Sequence, residues 1–404
     1  MKIELSLRPR GSFICKGWVI STAFIISACF GADAPTPMVL PGEALSSLSP
    51  ENRGRFLLGR ALFERVATQD EGLGPLYNQD RCSSCHDKPT IGGASSRSAR
   101  VLKATRFMDN RCDRLEELGG DNIQLRVTEL LAAHGFEPEA VPPEATASIY
   151  LTAPPLFGLG LIEAIPDSIL LSMADPEDRD GDGISGRLPL TTDNRSARFG
   201  RKGDAASVEE FVESALRFEL GFTTPRYPEE EDRNGVPIPV SADPSPDPEI
   251  DAETLTLLSD YIRFLAPPFP EPLAQGPAMD SVAQGADLFD QIGCTRCHRP
   301  EVHTGNAEEP ALRHQVVRLY SDLLLHDFGN GAGDLCGPDA LPGEFRTAPL
   351  WGLRYREHFL HDGSVTDLTE AINRHSGEAI VPRVRFQELP SEARDMVLRF
   401  LRSL

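Results

Sequence analysis

The string C-x-x-C-H occurs twice in this chain, at Cys82–His86 and again at Cys294–His298. Two thiols three positions apart share one turn, and the adjacent histidine projects its imidazole from the same place. That is the spacing of covalent c-type haem attachment, in which the thiols add to two vinyl groups and the histidine reaches the iron. Structural zinc would want a second thiol or imidazole pair at matching spacing, and none follows either string. A redox dithiol has no need of the histidine. The strings therefore read as two haem c sites, one held by Cys82, Cys85 and His86 and the other by Cys294, Cys297 and His298.

Both strings belong to a longer repeat. G-x-x-L-F precedes each, at Gly59–Phe63 and Gly285–Phe289, and P-L-x-G-L follows each, from Pro155 and from Pro349. Each half then closes on an amphipathic helix pattern, over 255–265 and 392–404. Leu255, Leu258, Ile262 and Leu265 fall at helical spacing. Ser49 ahead of Pro50 and Glu51 marks a helix start. No strong period-2 run stands out, and 34 Gly with 34 Pro imply much loop. The expected fold is mainly α, with two cytochrome c-like domains, long loops and one haem enclosed in each. The first spans 45–266 with a long insertion, and the second spans 280–404. The Pro-rich stretch 267–279 is the linker. A second polar, Pro-rich stretch, 228–249, reads as a surface loop.

Lys2, Arg8, Arg10 and Lys16 surround the start of an apolar run, 17–28, which is too short for a membrane span and suits a secretory signal. It ends in Ile-Ser-Ala-Cys, which resembles a bacterial lipobox. Residues 1–28 are accordingly expected to be a lipoprotein-type signal peptide, with Cys29 as the lipid-bearing first mature residue. Plain cleavage near Ala32 and Ala34 is the rival, and it sets Pro35 awkwardly beside the scissile bond. The expected location is the periplasm, with membrane contact only through the lipid. Export also suits covalent haem attachment. A net charge of −21 argues against a nucleic-acid partner. Cys112 and Cys336 are left over. An oxidising compartment lets them pair, while the sequence leaves open whether they come close enough.

Longer strings carry a resemblance. "PPLFGLGLIEAIPD", "DRDGDGISGR", "YSDLLLHDFG", "FRTAPLWGLR" and "FLHDGS…EAINRHSGEA" occur in that order. From about residue 50 onward the chain resembles the di-haem oxidoreductases sometimes labelled thiol oxidoreductases, relatives of bacterial di-haem cytochrome c peroxidases and of MauG. In such peroxidases the helix after the F-H-D-G loop ends at the distal ligand of the electron-transfer haem. Counting from His361 puts His375 there, where many of them have Met. A bis-His haem passes electrons, and loss of Met lowers its potential. The same register aligns 207–219 of the first half and puts Ala215, which cannot ligate, in the equivalent slot. Haem 1 then has an open or exchangeable position unless Met108, His134 or Lys202 fills it.

Cleaving an O–O bond wants a carboxylate to move a proton; Glu163 and Glu219 are the candidates. Asp178, Asp180 and Asp182 ahead of Gly183 match the first half of an EF-hand loop, with Pro189 where the bidentate Glu would stand. Related peroxidases hold Ca²⁺ between domains, so these three are candidate calcium ligands, against a plain acidic turn. The family often reads F-G-W-K where this chain has Phe199-Gly200-Arg201-Lys202, so a Trp relay is absent at that position. Trp351 reads as a core aromatic or as an aromatic between the haems. The resemblance implies a haem-dependent, peroxidase-like oxidoreductase. It would reduce H₂O₂ or a similar small oxidant at haem 1, with electrons delivered through haem 2 by a small cytochrome or a cupredoxin. A pure electron carrier, and MauG-like oxidation of a thiol, metal or protein substrate, are the alternatives.

Overall fold

The computed structural model describes residues 40–404 apart from 97, 272–275 and 330–333. The expected signal peptide 1–28 and Cys29 lie outside the described residues. The described chain belongs to one compact unit. The helices of the first half are α1 (Pro50–Glu64), α2 (Glu129–Ala133), α3 (Leu159–Glu163), α4 (Asp167–Met173), α5 (Val208–Leu220) and α6 (Ala252–Phe264). Those of the second are α7 (Pro277–Gln291), α8 (Leu368–Asn373), α9 (Ile380–Glu388) and α10 (Ser391–Ser403). Among the described residues no helix is long and apolar enough to cross a membrane.

The sequence repeat is a structural repeat. Ser49 caps α1 by accepting the Asn52 N–H at 3.1 Å, with Pro50 in the first turn. In each half the first helix crosses the last, α1 on α6 and α7 on α10. The crossing is close enough to demand glycine. A Cβ on Gly59 would stand 2.0 Å from the Leu257 carbonyl oxygen, and one on Gly285 2.1 Å from that of Met396. The Phe four positions on fills the angle below, with Phe63 at 5.0 Å from the Tyr261 ring and Phe289 at 5.4 Å from Phe400. The P-L-x-G-L turns are matched as well. Gly158 and Gly352 are left-handed, with φ of 74° and 68°. Their N–H groups donate to Leu265 O at 2.9 Å and Leu404 O at 2.8 Å, the residues that end α6 and α10.

Gly59→Ala is therefore expected to destabilise by about 1–3 kcal/mol through overpacking. Gly54→Ala, on the same helix with nothing within 4 Å, should instead gain about 0.5–1 kcal/mol. Chemical unfolding of both variants checks this. Equal shifts would mean that the crossing does not need its glycine.

An antiparallel sheet interrupts the mainly α expectation. Arg100–Met108 pairs with Arg111–Asp113, Asn122–Ile123 and Ala147–Thr152. Its buried positions are Leu102, Ala104 and Thr105. One is polar, one is small and two are adjacent, so no apolar alternation survives to be read. Cys112 lies on this sheet and is bonded to Cys336 in the second half, with Cα atoms 5.7 Å apart and 224 positions between them in sequence. Closing so long a loop constrains the unfolded chain. The double variant Cys112→Ser/Cys336→Ser should lose about 2–5 kcal/mol, read as a fall in Tm that added reductant does not deepen.

The hydrophobic core crosses the linker. The cluster around α1, α5 and α6 takes in Val302, Leu312, Val317, Leu319, Leu323 and Trp351 from the second half. A smaller cluster gathers around α7 and α10. The 228–249 stretch is more than a surface loop: Ala242 is wholly buried beside Leu76 and Leu131, and Glu231 pairs with Arg217 at 2.8 Å.

Candidate functional site

Each C-x-x-C-H string forms a single tight turn that sends its histidine inward. His86 Nδ1 lies 3.0 Å from Gly93 O, and His298 Nδ1 lies 3.0 Å from Tyr320 O. A carbonyl can only accept, so Nδ1 carries the proton and Nε2 is left bare for a metal. Burial lowers both imidazoles to about 4, so they are neutral, as ligation requires. Phe63 and Phe289 stand beside them, with ring centroids at 6.1 and 6.2 Å. Burial pushes the Cys82, Cys85 and Cys294 thiols up to about 12. A dithiol nucleophile needs the opposite.

A cavity of about 330 Å³ lies inside the second half and runs into the first. Its walls include Cys294, Cys297, His298 and His375 on one side and Pro154, Phe199 and Arg201 on the other. His375 Nδ1 is 2.9 Å from Ala371 O, which again leaves Nε2 bare, and burial lowers its pKa. The structure thus brings His298 and His375 into one cavity with the same tautomer. These donors fit a haem iron held from both faces. His326 lines the same cavity but is already engaged. Its Nε2 meets Asp322 at 2.9 Å and its Nδ1 meets Glu378 at 2.8 Å. Burial opposes its charge, but hydrogen bonds to Asp322, Cys297 and Glu378 outweigh that and push it up to about 12.

Among the described residues the first half shows no matching donor. Ser207 caps α5 by accepting from Glu210 N–H, and Asp367 caps α8 by accepting from Glu370 N–H, both at about 3 Å. Aligned on these caps, Ala215 takes the place of His375, and it is exposed. The three substitute ligands considered from sequence are placed as follows. Met108 is 57% exposed. His134 is at the surface with Ser241 Oγ 3.1 Å from its Nε2. Lys202 is buried, 3.6 Å from the centre of the Phe345 ring, and donates to Glu344 O.

The two candidate acids part company. Glu219 is half-buried in the last turn of α5, where it accepts from Asn122 Nδ2 at 2.9 Å and Asn78 Nδ2 at 3.1 Å. Burial pushes it up to about 7 despite those bonds, and its charge acts on the Cys85 thiol. A carboxyl able to hold or release a proton at neutral pH thus sits near the first attachment turn. Glu163 has both oxygens in use. Arg263 Nε donates to one at 2.6 Å, and the Val208 N–H that opens α5 donates to the other at 2.8 Å. It fastens α3, α5 and α6 together.

Asp178, Asp180 and Asp182 each bring one carboxylate oxygen within 4.8 Å of the others. Asp178 also accepts the Gly183 N–H, and Asp182 pairs with Arg296, which stands between Cys294 and Cys297. The acidic turn therefore already has a cation against it. Trp351 is 6% exposed, packs on Gly158 and lines the cavity, so it lies where the two halves meet. Arg346 and Arg356, which also line the cavity, drew no attention in the sequence, and Arg201 did so only as a missing Trp. An arginine reads as surface by default, and no local pattern marks these as interior.

No curated protein matches this sequence. Among solved structures, the hydrazine synthase of Kuenenia stuttgartiensis superposes with a TM-score of 0.41 at 14% identity, covering 96% of this chain and 100% of that one. A MauG-like protein associated with microbial copper homeostasis gives 0.41 at 16%, covering 92% and 94%. The diheme peroxidase BthA of Burkholderia thailandensis gives 0.41 at 13%, covering 91% and 89%. The family described as "Di-haem oxidoreductase, putative peroxidase" matches residues 149–404. That segment begins beyond the first C-x-x-C-H string and most of the sheet, later than the expected start near residue 50, yet it is well over half the chain. It holds both P-L-x-G-L turns, the second C-x-x-C-H and His375, and on that match this chain belongs to the di-haem oxidoreductase family.

Proposed function

We propose that this protein carries two covalently attached c-type haems and reduces H₂O₂, or a similar small oxidant, at haem 1 with electrons passed through haem 2. The inequality of the halves carries the reading. His298 and His375 share one cavity with bare Nε2 atoms, whereas Ala215 stands at the cap-aligned position in the first half. Bound haem supplies one-electron iron chemistry and, at an open position, a place for the oxidant.

The chain's own residues do the rest. His86 and His298 present neutral imidazoles, and His375 closes haem 2 to small molecules. Phe289, Leu353, Phe386 and Leu401 give that site apolar walls that exclude water. Glu219, raised to about 7, rather than Glu163, which is ion-paired with Arg263, moves the proton. Reducing one peroxide to two waters takes two electrons and two protons. We assign the electrons to a small cytochrome or cupredoxin in the periplasm, where the protein would be tethered through Cys29.

Low-temperature EPR of the air-oxidised, haem-loaded protein is expected to show one high-spin and one low-spin ferric signal. Peroxide reduction with a reduced small cytochrome should accompany it. Two low-spin signals without turnover would make the protein an electron carrier instead.

A further inference from the structure

We infer that Arg201, Arg346 and Arg356 form a carboxylate-binding hub inside the protein, and that the carboxylates they hold are haem propionates. The inference rests on the haem content proposed above.

All three guanidiniums line the one cavity. Arg201 Nη2 donates to Thr152 O at 2.7 Å and Thr152 Oγ1 at 3.2 Å. Arg346 donates to Gly200 O at 2.8 Å and Thr347 O at 3.3 Å. Arg356 Nη2 donates to Pro349 O at 3.1 Å, and its Nε is shut off from solvent with no partner. Every acceptor is neutral. Among the described residues none of the three pairs with a carboxylate. Arg187 and Arg263, by contrast, each pair with two. A fourth lining guanidinium, Arg383, donates to the His375 carbonyl and belongs to the distal-ligand side.

The three are also neighbours. The Arg346 N–H donates to Arg201 O at 2.9 Å. Burial, then repulsion from Arg356 and Arg346, lowers Arg201 to about 10, and burial lowers the other two to about 10. All three remain charged at neutral pH. Like charges gathered out of water are strongly unfavourable unless an anion joins them. Among the described residues no acid forms an ion pair here; Asp362 acts on Arg201 and Asp204 and Asp322 act on Arg346 only from a distance, so the contacting counter-charge belongs to what the cavity holds. Guanidinium forks take carboxylates in the strongest, two-bonded form.

Two sources share that chemistry: the propionates of a bound haem, and a free organic acid. The same cavity carries Cys294, Cys297, His298 and His375, and a porphyrin among these and the surrounding apolar walls has only its propionate edge left to satisfy. Arg201 comes from the first half and Arg346 and Arg356 from the second, so both halves of the chain contribute to the hub. It keeps the carboxylates it holds ionised and sets positive charge beside the second haem site.

The test uses the holoprotein. Pyridine haemochrome assay comes first, because absence of haem would refute the haem reading itself rather than the hub. The wild-type midpoint potential of haem 2 should stay flat between about pH 5 and pH 8, since clamped propionates do not titrate there, whereas haem 1 also follows Glu219 as it titrates at about 7. Arg346→Gln/Arg356→Gln removes two positive charges and should shift at least one haem toward the ferric form by tenfold or more, 59 mV for one electron, with a new pH dependence. Arg346→Lys/Arg356→Lys keeps the charge and should keep most of the potential. Unshifted potentials in the Gln variant, or equal shifts in the Gln and Lys variants, overturn the hub. If the variants do not take up haem, resonance Raman of the wild type decides: a propionate bending mode that titrates between about pH 5 and pH 8 overturns it, and a constant one supports it. A saturable Soret change when acetate or succinate is added to the wild type would assign the site to a free organic acid and overturn the propionate assignment.

Discussion

Glu219→Gln is expected to lower peroxide turnover by roughly 10²–10⁴, the usual contribution of a positioned acid–base group. Glutamine keeps the size but offers one acceptor oxygen in place of two, so the ionisable proton is lost together with one of the contacts to Asn78 and Asn122. The pH behaviour separates this from a structural defect. Burial sets Glu219 at about 7, so a step that needs the protonated carboxyl weakens as pH rises through that value. The variant should lack that limb. Stability moves the other way. A carboxyl raised above its unfolded value stabilises the fold in the neutral form, fully below about pH 4.5. That stabilisation is lost as pH rises through about 7. From pH 6 to pH 8 the variant should therefore gain stability relative to the wild type while remaining far less active. Burial sets Glu139 at about 7 too. The wild type accordingly has a second carboxyl weakening the fold over the same window, which Glu219→Gln leaves in place. Steady-state kinetics and denaturation at pH 6 and pH 8 check both arms. Unchanged kcat at both would remove Glu219 from the reaction.

His375→Met is expected to raise the potential of one haem, on the order of 0.1 V or more, because thioether ligation favours the ferrous form. The other haem should not move. His375→Ala should instead convert the low-spin ferric signal to high-spin, since the Nε2 that faces the cavity would be gone and Ala371 O would lose its donor. In both variants electron delivery to the other site should slow, by mismatch of potential in the first and by exposure of the haem to small ligands in the second. Spectroelectrochemistry and EPR read these effects without turnover. A low-spin signal that survives His375→Ala would show that another group ligates haem 2, and the inequality between the halves would then need a different basis.

The local pattern of this protein was legible. Two thiols and a histidine at fixed spacing form the same tight turn in each half, so both strings could be picked out without a fold. The G-x-x-L-F and P-L-x-G-L repeats were legible as pattern, and their cause appears only in the helix crossing and in the bonds to Leu265 and Leu404. Helix ends at Ser49, Ser207 and Asp367 follow from short-range capping. The sheet around Arg100–Met108 was not legible, because its inward positions are too small and polar to alternate.

Glu163 and Glu219 look alike in sequence. Only the fold decides that one faces Arg263 and a helix N–H while the other sits half-buried between two asparagines near Cys85. The pairing of Cys112 with Cys336 and the meeting of Arg201, Arg346 and Arg356 are likewise tertiary outcomes. Sequence by itself determined the patterns whose parts lie within five residues: the C-x-x-C-H strings, the caps and the repeated turns. Tertiary structure decided every feature whose partners lie a hundred or more positions apart, because burial, ion pairing and disulfide closure depend on where distant segments meet.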